Sequence, residues 1–161
     1  MIQNKLSWEP LEEDATIIGA GPSLGILLKD PSLAKGPIFM ASSAGLVWPY
    51  EAYVWAHLHP ELLLKGYDER KRQGWPVCML VGGKFCKGWE DYPFFEYKMQ
   101  HWRGGSSALY AAEMATSIGY KRLHVFGVDL TERYKIHRPY WDLVHGVELI
   151  GYGTSLSWME D

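Results

Sequence analysis

Short apolar runs alternate along this chain with glycine-bearing turns and with longer stretches of helical period. The first run, Thr16-Ile17-Ile18, breaks on Gly19 and Gly21 and reopens at Ser23 as an apolar-periodic segment that reaches Lys29, before Asp30-Pro31. That order predicts a strand, a tight turn and a short helix, with Ser23 as its cap or first-turn hydroxyl. Ile38-Phe39-Met40-Ala41 is too short for a helix and predicts a second strand. It empties into Ser42-Ser43-Ala44-Gly45, a small polar loop whose side chains leave room for a ligand. Ala52 to Ala56 predicts a third strand, followed by His57-Leu58-His59-Pro60 and a charged helix from Glu61 to about Arg72. Val77 to Val81 predicts a fourth strand, with Gly82-Gly83-Lys84 beyond it. From Phe85 to Arg103 no period holds, which predicts a long aromatic loop or an insertion over the site. Gly104-Gly105-Ser106-Ser107 then opens a small-residue helix from Ala108 to Ile118, stopped by Gly119 and suited to close packing on a sheet. Leu123 to Gly127 predicts the fifth strand, and Val128-Asp129-Leu130-Thr131 its carboxyl end. The rest holds a basic-aromatic turn around Tyr134 to Pro139 and a weakly patterned tail.

Strands alternating with helices imply a parallel sheet with right-handed crossovers. The expected fold is α/β, a Rossmann-like three-layer sandwich with a mostly parallel five-stranded sheet, in one domain over residues 1–161. Ligands of such sheets sit beyond the carboxyl ends of the strands. That rule gathers the Gly19 to Ser23 turn, Ser42 to Gly45, His57 to His59, Gly82 to Lys84, Ser106, Ser107 and Asp129 into one crevice. Within it, the backbone N–H groups of Gly19, Ala20, Gly21 and Ser23, around Pro22, are expected to face an anion the size of a phosphate.

Charge narrows the partners. Lys+Arg 16 against Asp+Glu 19 leaves a net charge of −3, so there is no basic field to grip a nucleic-acid backbone. The 8 Trp and 10 Tyr suggest stacking surfaces or an interface, although core packing accounts for most of them. Cys78 and Cys86 have neither metal spacing nor a disulfide framework and read as reduced thiols. The N-terminal stretch is polar and acidic, and no apolar run is long enough to span a bilayer; a soluble, cytoplasmic protein is expected.

A dinucleotide is the first ligand to consider, but Gly-x-Gly-x-x-Gly fails at Leu24. The second strand ends in Met40-Ala41-Ser42-Ser43, with no carboxylate to hold a ribose. NAD or FAD is therefore a weak alternative. The first turn taken with Gly104 to Ala112 and with Ile118 to Leu130 resembles the Rossmann-type bacterial sialyltransferases and their relatives, the motility accessory factor proteins of flagellin glycosylation. Those families show a Gly-x-Gly-Pro-Ser-Leu turn, a later serine opening a small-residue helix, and a Gly-Tyr-Lys-x-Ile/Leu strand ending in Gly-x-Asp. The resemblance implies binding of a CMP-sugar over the first turn, and catalysis without a cofactor or an essential metal. By position, Gly19, Gly21, Pro22 and Ser23 match the donor turn and Ser107 the later serine, next to Gly105 and Ser106. Asp129 matches the acid after the last strand, while Ser42 and Ser43 stand where the family has an asparagine. Ala20 departs from the pattern, replacing an asparagine with a side chain that cannot hydrogen-bond. The chain also ends soon after its Gly-x-Asp, where the family adds a lid and a histidine base.

Two functions stay open on these residues. One is sialic-acid-like transfer, with His137 or His145 as the base that takes the acceptor proton. A homo-oligomer whose neighbour supplies the missing roof would complete such an enzyme. The other is a non-catalytic nucleotide-binding or protein-interaction module that kept the fold and lost the lid. His57 and His59 alternate on one strand face, as a metal pair or phosphate contact would, but no third ligand is evident, so no metal site is assigned. Lys135 and Arg138 suit either a phosphate or a solvated turn. The small size would suit a compact genome such as a phage's, though a bacterial source fits the resemblance equally.

Overall fold

The computed structural model describes residues 13–98, 107–129 and 147–152. In chain order the elements are β1 (Asp14–Ile18), α1 (Leu24–Lys29), β2 (Ile38–Ala41), β3 (Val54–Ala56), α2 (Glu61–Arg72), β4 (Met79–Gly82), β5 (Phe94–Glu96), α3 (Ser107–Ile118), β6 (Arg122–Phe126) and β7 (Glu148–Gly151). The strands form a single sheet in the order β5-β4-β3-β2-β1-β6-β7, and every pair is parallel. This is an α/β fold. Among the described residues the sheet has seven strands where the hydrophobic pattern predicted five. β5 is a three-residue strand just after Pro93 in the aromatic segment, and β7 is an edge strand with Glu148 exposed, so neither shows the apolar run that marks a buried strand.

Side chains alternate across the sheet with period two, and each face has its own apolar cluster. Ala15, Ile17, Phe39, Ala41, Val54, Ala56, Leu123 and Val125 share one cluster with Leu109, Ala111, Ala112, Met114 and Ala115 of α3. The small residues let α3 lie close over β1, β2 and β3, as its composition predicted. Ile18, Met40, Trp55, Leu80, Phe94 and Phe126 share the other cluster with Leu24 and Leu27 of α1 and Leu63 of α2. The helix from Glu61 to Arg72 carries Glu61 in its first turn and Arg70, Lys71 and Arg72 in its last, an arrangement that complements its dipole. Among the described residues no helix is long and apolar enough to cross a membrane.

From β1 the chain steps outward through β2, β3, β4 and β5, then returns to place β6 on the other side of β1. The strand order therefore reverses between β1 and β6. At the amino end of this pair, Asp14 holds Arg122 Nε and Nη2 at 2.9 and 2.8 Å and His124 Nε2 at 2.8 Å. The carboxyl end of this pair is the position at which open parallel sheets bind ligands.

Candidate functional site

The turn after β1 is built against the end of β6. Gly19 N–H donates to Phe126 O and Gly21 N–H to Gly127 O, both at 2.8 Å. Ser23 N–H donates to Asp129 Oδ2 at 2.6 Å, and Gly127 N–H donates to Ser23 Oγ at 2.7 Å. These contacts account for the glycines. A Cβ on Gly19 would stand 2.5 Å from the Gly127 carbonyl oxygen, and one on Gly21 would collide with the Asp129 carboxylate. Gly127 itself has φ +73°, a conformation that strains residues bearing a Cβ.

Two expectations change here. The Ser23 hydroxyl does not cap α1; it reaches across to Gly127 instead. The amides of Gly19, Gly21 and Ser23, expected to face a ligand phosphate, are spent on the chain's own acceptors, one of them an anionic side chain. Asp129 takes one of these amides, that of Ser23, where a ligand phosphate was expected. Its second oxygen, Oδ1, is buried and has no hydrogen-bond partner among the described residues. Buried acceptors are paired in the great majority of cases, so an orphan in a ligand crevice marks a place for a donor. Ala20 is exposed on this turn beside Pro22, which has no N–H to offer.

A second network joins the ends of β2 and β3. Ser42 has φ +55°, a left-handed conformation that costs a non-glycine residue roughly 1–2 kcal/mol. It is held there by the Trp55 indole, whose Nε1 donates to Ser42 O at 2.6 Å. Gly45 is small for the sake of that indole, not for a ligand, because a Cβ there would collide with the Trp55 ring. Ser43 is exposed. Ser107, at the start of α3, accepts the Leu58 N–H at 3.1 Å, and so anchors the loop after β3.

His57, buried in that loop, accepts the His59 N–H on Nδ1 at 2.8 Å. An amide can only donate, so the neutral ring carries its hydrogen on Nε2, which faces Ser42 Oγ at 3.5 Å. His57 therefore cannot take a proton from Ser42, and a serine-hydrolase reading of this pair fails. His59 is exposed, with Nδ1 at 3.8 Å from Glu61 Oε1. Among the described residues no three His, Cys, Asp or Glu side chains gather as a metal set.

Burial holds the His57 pKa below its ordinary value; His59 lowers it further, and Glu61 opposes them. The unfolded chain then protonates first as pH falls below about 6.5. The stability that neutral His57 contributes is present above that pH and is lost as pH drops toward the folded value. Urea midpoints measured between about pH 7.5 and 5 should fall with acid, and His57→Asn, whose amide oxygen can accept the His59 N–H, should flatten that part of the profile. An unchanged profile in the variant would assign the loss to other groups.

Gly19, Gly21, Ser23 and Asp129 thus come together in one hydrogen-bonded unit, and Ser42, His57 and Ser107 belong to another. Gly105, Ser106, His137 and His145 lie outside the described residues. Gly127 was missed as a site residue, although a glycine between a strand end and an aspartate is a visible signal for a backbone that must approach its neighbour. No family model matches the chain, and no curated protein matches it.

Proposed function

We propose that this chain is a glycosyltransferase-like, Rossmann-like three-layer domain that binds a nucleotide or nucleotide-sugar above β1 and β6, with a CMP-sugar as the favoured donor. The observation that carries the proposal is the buried, unpartnered Oδ1 of Asp129 at the point where strand order reverses. A hydroxyl of the ribose or of the sugar donates to it, and the turn meets the ligand through that hydroxyl rather than through phosphate. In the transferase form, an acceptor hydroxyl attacks the anomeric carbon while the bond to the CMP phosphate breaks and a histidine takes the hydroxyl proton. His137 and His145 remain the candidates for that base. The proposal calls for no cofactor and no metal, a cytoplasmic setting, and a homo-oligomeric neighbour as one source of a lid.

A second reading, a non-catalytic interaction module, is favoured by one observation: the amides of Gly19, Gly21 and Ser23 in the first turn are already occupied by Phe126, Gly127 and Asp129. Thermal shifts with CMP, CDP, UDP and NAD separate the two. A ligand at a hundred times its Kd should stabilise the protein by about 2.7 kcal/mol. No shift with any nucleotide selects the interaction module. Asp129→Ala sharpens the test, because loss of a bond to a charged acceptor weakens binding by about tenfold or more. Tighter nucleotide binding in Asp129→Ala would instead make Asp129 a plug over a phosphate site and overturn the hydroxyl assignment.

A further inference from the structure

On the far side of the sheet from α3, a cleft of about 490 Å³ opens between α2 and the segment that leads into β5. Its lining includes the aromatic residues Tyr67, Phe85, Tyr92 and Phe94, with the acidic residues Glu90 and Asp91 among them. Phe94 is buried, whereas Tyr67, Phe85 and Tyr92 are half-buried, so three rings present part of their surface to the cleft. Tyr67 and Tyr92 meet at 73° with centroids 5.5 Å apart, forming a corner. Asp68 fixes one side of it by accepting the Tyr92 hydroxyl at 3.0 Å.

We propose that this cleft binds an organic ammonium group. Two features converge on that chemistry. Aromatic faces attract cations through their quadrupole, most strongly when the cation is alkylated and sheds water easily. The chain already shows the preference, since the Lys71 ammonium lies 5.7 Å from the Tyr67 ring centroid. Glu90 and Asp91 supply matching charge. Glu90 accepts backbone N–H groups of its own residue and Gly88, which hold its carboxyl below the usual range and keep it ionised near neutrality. A neutral or anionic guest would gain nothing from these carboxylates.

A free choline-like molecule and a trimethylated lysine of a protein present the same group, so both are tested on the full chain. Titration with choline, followed by calorimetry and by the ring-proton shifts of Tyr67 and Tyr92, should show saturable binding. Its uncharged carbon isostere, 3,3-dimethylbutanol, should bind about tenfold more weakly. A trimethyllysine peptide that binds more tightly than choline identifies a protein side chain as the source; the reverse order identifies a small molecule. The exposed double substitution Glu90→Gln/Asp91→Asn leaves the packing intact and should weaken choline severalfold, and Tyr67→Leu should weaken it further. Equal binding of choline and its isostere, no ring-proton shifts, or full affinity in the Glu90→Gln/Asp91→Asn protein would each overturn the proposal.

Discussion

Replacing Arg70 with methionine is expected to destabilise the protein by about 3 kcal/mol, seen as a lower urea midpoint at unchanged slope. Arg70 is 1 % exposed, yet no carboxylate pairs with it in the described structure. Its guanidinium donates to Gly45 O at 2.8 Å, to Trp48 O, to Tyr50 O at 3.0 Å, and to Pro76 O from Nε at 2.9 Å and Nη2 at 2.6 Å. One side chain thereby ties the loop between β2 and β3 and the loop before β4 to α2. Methionine keeps most of the volume but leaves these carbonyls without a donor. Those of Tyr50 and Pro76 sit on exposed residues and can turn to water, while those of buried Gly45 and Trp48 cannot, at roughly 1–3 kcal/mol each. Relief from burying a charge works in the other direction. It is the smaller effect here because the guanidinium's hydrogen bonds already replace much of the water it lost. Arg70→Lys should recover only part of the loss, since a single ammonium cannot span acceptors on two separate loops. A change below about 1 kcal/mol for methionine would mean that desolvation of the cation cancels its bonds.

The elements that the hydrophobic pattern located were those that bury whole faces. Ile38–Ala41 and Glu61–Arg72 are the segments that the pattern marked, and β1, α1, β3, β4, α3 and β6 differ from it only at their ends. Such strands lie inside the sheet, where both faces are covered and apolar residues predominate, although β1 and β6 also carry the paired polar residues Asp14, Arg122 and His124. β5 and β7 are the sheet's edges. Their pairing is set by the backbone of one neighbour, and a three-residue strand beside Pro93 leaves no periodic trace in the side chains. Arg70 was equally hidden, because the sequence shows it as one of three basic residues closing a helix. Only the tertiary position of the loops distinguishes it from exposed Arg72.

At the crevice, the sequence was informative about where the backbone closes up and misleading about what it closes upon. Gly19 and Gly21 do mark a turn that needs close approach, but the approaching groups are Gly127 and Asp129, more than a hundred residues away in the chain. A glycine pattern records only that a Cβ is excluded; it does not say whether the excluding atom belongs to a ligand or to the protein. Ser107 likewise has a partner within the protein, since its hydroxyl accepts the Leu58 N–H, and its own hydrogen is still available to donate. The orphaned Asp129 oxygen was invisible, because satisfaction of an acceptor is a property of its neighbours in space.

Gly127→Ala should therefore be among the most damaging small substitutions, costing roughly 2–5 kcal/mol. About 1–2 kcal/mol comes from placing a Cβ at φ +73°. The rest comes from collision with the Gly19 carbonyl, a backbone atom that no rotamer change can move aside, and from a 3.1 Å approach to Leu24 Cβ. Gly25→Ala is the matching control, because nothing stands within 4 Å of a Cβ there and the position is helical, so it should be neutral or stabilise by up to about 1 kcal/mol. The two variants add the same methyl group a few residues apart in space and are expected to have opposite signs. The consequence reaches the site. Gly127 donates to Ser23 Oγ and accepts from Gly21, so a shift that relieves the collision disturbs the turn from which Ser23 donates to Asp129. Whatever nucleotide-induced stabilisation the native protein shows should then vanish in Gly127→Ala, measured where the variant is still folded, and persist in Gly25→Ala. If Gly127→Ala unfolds at the native urea midpoint, the turn and the end of β6 are not packed as tightly as these contacts require, and Asp129 loses its place as the residue that organises the crevice.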